Sequence, residues 1–107
     1  MIQVIDGKRY NTETAKFIFE YWNGYMTSDF KHRTKSLYLT SKGSWFIHHV
    51  GGALTDMAES IGNSSHGSEC IEPINADDAY GFLEAHSDDE KALAAMSSHF
   101  ADKIVDA

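Results

Sequence analysis

Cysteine is almost missing from this chain. Its 107 residues include one, Cys70, so no intrachain disulfide can form. That suits a reducing compartment, and a cytoplasmic location is expected. Long apolar runs are also missing. None approaches the roughly 20 residues a transmembrane helix needs, and residues 1–7 lack the basic start and apolar stretch of a signal peptide. There is no internal repeat, long linker or low-complexity tract. Positive charge is short and unevenly placed. Residues 1–50 hold seven Lys/Arg against four Asp/Glu, a net of +3. Residues 51–107 hold two against twelve, a net of −10, giving −7 overall. The second half would repel nucleic-acid phosphates and could approach a basic surface. The plainer reading is an acidic surface that keeps a small protein soluble.

What is present points to one folded domain. The apolar fraction is 42%, and two Trp, five Tyr and six Phe argue against disorder. The organising stretch is 35–50. Residues 35–40 read as a strand, Ser41-Lys42-Gly43 as a tight loop and 44–50 as the returning strand. Alternation puts Leu37, Leu39, Trp45 and Ile47 on one face and Tyr38, Phe46 and His48 on the other. Residues 2–5 and 8–10 form a smaller hairpin closed at Asp6-Gly7. Residues 16–22 are aromatic and β-branched and read as a strand, with Phe17, Phe19 and Tyr21 on one face and Ile18, Glu20 and Trp22 on the other. A helix over 12–22 competes, because Ile18, Tyr21 and Trp22 also have helical spacing. Residues 25–34 are expected to be a loop anchored by Phe30. Leu54, Met57, Ala58 and Ile61 allow a short helix over 53–61, and 62–69 is a loop by composition. Residues 70–74 read as a last strand, with Pro73 marking an edge.

The rest is helical. Asn75 can cap a helix with Asp77 and Asp78 in its first turn, and Ala79, Phe82, Leu83 and His86 on one face. Ser87-Asp88-Asp89-Glu90 has the form of a capping box. The helix after it carries Leu93, Met96, Phe100 and Ile104 at one-turn intervals. The expected fold is α+β: a single domain over 1–107, with a small antiparallel sheet built on the 35–50 hairpin in residues 1–74 and two helices packed on it in 75–107. Sheet edges in so small a protein make a homodimer conceivable.

Residues 7–15 read Gly-Lys-Arg-Tyr-Asn-Thr-Glu-Thr-Ala. Leu37, Tyr38, Thr40, Lys42, Gly43, Trp45 and Phe46 follow, then Gly51-Gly52-Ala53. This pattern resembles a widespread group of small bacterial and phage proteins with a G-K-x-Y-x-T-E-T-A start, a T-x-K-G-x-W-F hairpin and an acidic helical end. The resemblance implies a small domain common on mobile elements. It implies no reaction and no catalytic residue. His48-His49-Val50 departs from the single His usual in that group.

Candidate sites follow from residue chemistry. Asp77, Asp78, Glu84, Asp88, Asp89 and Glu90 could present a dense negative patch to a protein with a basic surface. With the resemblance, this suggests an interaction module that inhibits a nucleic-acid-handling machine, of the anti-CRISPR or anti-restriction kind; solubility and helix capping also account for these residues. The alternative is weak nucleic-acid binding through Lys31, Arg33 and Lys35, with Tyr38 for stacking, against a charged strand edge as the plainer reading. A third reading is a small enzyme. Cys70 with His48 could form a nucleophilic pair. Asp77/Asp78 or Asp88/Asp89/Glu90 could do acid–base work. No His or Cys spacing matches a common metal motif, and His66, Cys70, Glu69 and Glu72 are the nearest approach to one. No cofactor or metal is expected.

Overall fold

The computed structural model describes the backbone of residues 1–57, 59–61 and 64–107, and the side chains of 1–57 and 67–107. Its elements in order are β1 (Ile2–Ile5), β2 (Lys8–Asn11), β3 (Lys16–Trp22), β4 (Arg33–Leu39), β5 (Trp45–Gly51), β6 (Glu59–Ile61), β7 (Ser64–His66), β8 (Ser68–Ile74), α1 (Ala76–Ala85) and α2 (Glu90–His99), ending in a 3-10 turn, Ala101–Lys103. The fold is α+β, with antiparallel sheets first and two helices last. No described helix is long and apolar enough to cross a membrane.

The centre is a four-stranded antiparallel sheet in the order β3-β4-β5-β8. The β4–β5 hairpin is the one expected. Gly43 takes φ +86, and the Thr40 N–H donates to the Ser44 carbonyl at 2.8 Å to close the loop. Leu37 pairs with Ile47 and Leu39 with Trp45, so these four share a face, while Tyr38 pairs with Phe46 on the other. The helices cover the first face. Phe19, Leu37, Trp45 and Ile47 pack there with Ala79, Leu83, Ala92, Met96 and Phe100. The β1–β2 hairpin covers part of the second face, where Tyr10, Phe46 and Ile71 form a smaller core. Its turn has Asp6 at φ 51 and Gly7 at φ 76, the positive pair that a two-residue hairpin loop requires.

Several expectations need correction. Residues 16–22 are a strand rather than a helix, but a β-bulge lies between Phe17 and Phe19. Phe17 therefore joins Tyr38 on the hairpin side, with ring centres 5.8 Å apart, while Phe19 faces the helices. The short helix over 53–61 is not seen: 53–57 are turns and Glu59–Ile61 pairs with Ser64–His66. Ala58, Gly62 and Asn63 lie outside the described residues, as do the side chains of Ile61 and His66. The single loop expected over 62–69 is not seen: Ser64–His66 is β7 and β8 already begins at Ser68, with Gly67 between them. Asn75 caps α1 as expected, its Oδ1 accepting the Asp78 N–H at 2.7 Å. The cap of α2 is Asp89 rather than Ser87, accepting the Lys91 N–H at 2.8 Å. In α2 the buried face is Ala92, Ala95 and Met96, and Leu93 is 48% exposed. Alanines let the helix approach the sheet closely, which sets its rotation and turns Leu93 outward.

Candidate functional site

The six acidic candidates of the helical end, Asp77, Asp78, Glu84, Asp88, Asp89 and Glu90, are all exposed. They do not form one patch. Each helix is 10 residues, about 15 Å of axis. Asp77 and Asp78 stand at the start of α1. Glu84, Asp88, Asp89 and Glu90 gather around the α1–α2 turn at its other end. The Asp77 carboxylate is paired with Lys103 Nζ at 3.1 Å, and that bond raises the ammonium's pKa. Four of the six candidates therefore stand at the α1–α2 turn.

Residues 31–35 do not form one exposed basic patch either. Lys31 is exposed, with Nζ 5.9 Å from the centre of the Tyr25 ring. His32 is buried, its Nδ1 bonded to the Tyr25 carbonyl at 2.7 Å. Arg33 is also buried. Its Nε and Nη2 donate to the two oxygens of Asp56 at 2.7 and 3.2 Å. Its Nη1 donates to the Thr34 carbonyl at 2.7 Å, and Nη2 also reaches His49 Nδ1 at 2.9 Å. The guanidinium holds the Asp56 carboxyl below its usual range. Arg33 is thus turned inward, away from any phosphate in solvent. Lys35 and Tyr38 are on opposite faces of the sheet, and Tyr38 stacks on Phe46 with ring centres 5.1 Å apart.

Cys70 lies opposite His49 across β5 and β8, not opposite His48, whose partner is Ile71. Residues directly opposite share a face, so Cys70 and His48 are on opposite sides of the sheet. His49 is fully engaged. An arginine only donates, so Nδ1 accepts from Arg33 and the proton is assigned to Nε2, which donates to Glu72 Oε1 at 2.8 Å. With its lone pair held by Arg33, His49 is not placed to take a proton from Cys70. His48 Nε2 is paired with Glu69 Oε2 at 3.1 Å. His86 stacks on Tyr21 at 4.8 Å, and His99 meets the Trp45 ring edge-on at 5.6 Å. Burial, then Lys16, lowers the His99 pKa. Among the described residues no group of three or more His, Cys, Asp or Glu could hold a metal ion. The His66 side chain in the metal candidate lies outside them.

Comparison with known protein families, curated proteins and solved structures finds no match to this chain.

Two clefts remain. One, of about 580 Å³, lies between the β1–β2 hairpin with the turn after it and the β4–β5 loop. Lys8, Arg9, Thr14, Thr40, Ser41 and Lys42 are among its lining residues. Local charge clustering misses this site, because Lys42 is remote in sequence from Lys8 and Arg9. The signal that marks it is the pair of motif stretches, 7–15 and 40–46, which converge here. The other, of about 390 Å³, is lined by Glu20, Trp22, Tyr25, Met26, His32 and Thr34 among others. Trp22 and Met26 are 50% and 68% exposed, so this end of the sheet presents apolar side chains to solvent.

Proposed function

We propose that the protein is a non-enzymatic docking module of mobile-element type. It uses the α1–α2 turn to occupy a basic, nucleic-acid-binding surface on a partner protein in the cytoplasm, in the manner of an anti-CRISPR or anti-restriction inhibitor. The supporting observation is the display of Glu84, Asp88, Asp89 and Glu90 in solvent around one turn. The helices bearing them are held by Leu83 and Ala92, both 0% exposed. Carboxylates on a fixed frame lose less freedom on docking than carboxylates on a loose chain. Complementary charge would steer the encounter. Trp22, Tyr25 and Met26 offer an apolar contact surface on another part of the molecule.

The test is a competition assay with RNA-guided and restriction nucleases, each holding its DNA. The protein is expected to block cleavage by at least one of them, with inhibition weakening as salt rises. The combined variant Glu84→Gln, Asp88→Asn, Asp89→Asn, Glu90→Gln keeps side chains able to cap and is expected to lose the effect. Inhibition unchanged in that variant, or no inhibition of any nuclease, would overturn the reading.

A further inference from the structure

The cleft between the two hairpins differs in charge from the rest of the molecule. The ionisable side chains that line it include Lys8, Arg9 and Lys42, all exposed, and no Asp or Glu lines it. In a chain of net charge −7, three basic residues from two stretches, Lys8-Arg9 and Lys42, line one concavity. The loop beneath Lys42 is shaped by its own bonds. Gly43 N–H donates to the Thr40 carbonyl and Ser44 N–H to Thr40 Oγ1, both at 3.0 Å. Among the described residues no protein acceptor meets the backbone N–H of Ser41 or Lys42, at the tip of that loop. Thr14 and Ser41 add exposed hydroxyls.

We propose that this cleft binds a small phosphorylated molecule by its terminal phosphate. Three cations suit a group carrying close to two negative charges better than they suit a single carboxylate. Arg9 offers the planar fork that pairs with phosphate oxygens, Lys42 acts as a point charge from the facing loop, and the loop N–H groups supply neutral donors; Lys8, next to Arg9 in β2 and so on its other face, adds to the local positive field. The volume, about 580 Å³, falls within the range of small-molecule sites. A nucleic-acid strand fits less well, because beyond the cleft it would run along a molecule of net negative charge. This site is separate from the acidic α1–α2 turn and does not depend on the docking reading.

The test is a titration with inorganic pyrophosphate and with ATP, followed by amide ¹H–¹⁵N spectra at low ionic strength. Shift changes are expected in residues 7–15 and 40–44. Affinity for the probe that binds is expected to fall about tenfold or more in Arg9→Ala and in Lys42→Ala, each of which removes a charge-assisted contact. Arg9→Lys should recover part of the loss. All three cations are exposed, so the variants should keep the native spectrum elsewhere. The proposal is overturned if neither probe moves these amides at millimolar concentration. It is equally overturned if the changes persist when Lys8, Arg9 and Lys42 are all alanine, or if short single-stranded DNA binds more tightly than ATP.

Discussion

At the residue scale, Arg33 gathers five hydrogen bonds through its guanidinium, to Asp56, His49 and the Thr34 and Val50 carbonyls. Its side chain is 9% exposed, yet its main ion-pair partner, Asp56, is 70% exposed. The two ends of this pair should therefore respond differently to substitution. Arg33→Met removes the donor to His49 Nδ1 and to the Thr34 carbonyl, and leaving such groups unpaired costs about 2–3 kcal/mol in all. Asp56→Asn keeps an acceptor and removes only a solvent-screened charge, worth less than about 1 kcal/mol. The Asp56 contribution depends on pH in a fixed direction. The carboxyl is more acidic in the folded chain than in the unfolded one. Its stabilisation is therefore present above the unfolded value near 3.9 and is lost as pH falls through the lower folded value. Urea unfolding of wild type and Asp56→Asn should show a stability gap near neutrality that closes in acid. A gap that stays constant, or widens, would show that the pair contributes through something other than charge.

At the element scale, the sheet edge at β8 shows how much of the fold can be read from local chemistry. Pro73 marks an edge because it has no N–H to donate, and β8 is indeed an outer strand. The second half of that protection could not be read. The Ile71 N–H is bonded to Gln3 Oε1 at 3.0 Å, across 68 residues of sequence. N–H groups alternate in direction along a strand, so residues 69, 71 and 73 all turn outward. One is bonded to Gln3, one is a proline, and the third belongs to Glu69, whose charge discourages pairing. The edge that would permit a strand-paired dimer is thus closed on this side. Gln3→Ala combined with Pro73→Thr should reopen it, giving stronger concentration-dependent self-association than wild type by sedimentation velocity. A variant that sediments like wild type would mean another feature protects the edge. The same limit explains the other differences. The hairpin was legible because Gly43 and the flanking alternation act locally. The bulge at Phe17–Phe19 was not, since one extra residue leaves composition unchanged and flips every face before it. Ser87, Asp88 and Asp89 all have capping chemistry, and the chain direction selects Asp89. The Arg33–Asp56 and Lys8–Arg9–Lys42 groupings join residues far apart in sequence, so the inward turn of the first and the cleft of the second emerge only on folding.

At the scale of the whole molecule, one sheet serves two cores. Phe46 and Leu83 are each 0% exposed, but Phe46 belongs to the cluster under the β1–β2 hairpin and Leu83 to the one under the helices. The strands between them are shared: β5 sends Phe46 one way and Trp45 and Ile47 the other. A chain of this size should unfold as one cooperative unit if the sheet couples its two faces. Phe46→Leu and Leu83→Val each remove buried carbon and should each cost about 1–2 kcal/mol. Because no contact joins the two sites directly, their effects should add to within about 0.5 kcal/mol in the double variant. Tryptophan fluorescence reports chiefly on the helical side through Trp45, and far-ultraviolet circular dichroism reports on both. Coincident urea transitions by the two probes, in all four proteins, are the expected result. If Phe46→Leu instead separates the transitions, the β1–β2 layer is melting alone. The basic cleft that it helps to form would then be assembled by a locally stable element rather than by the domain as a whole.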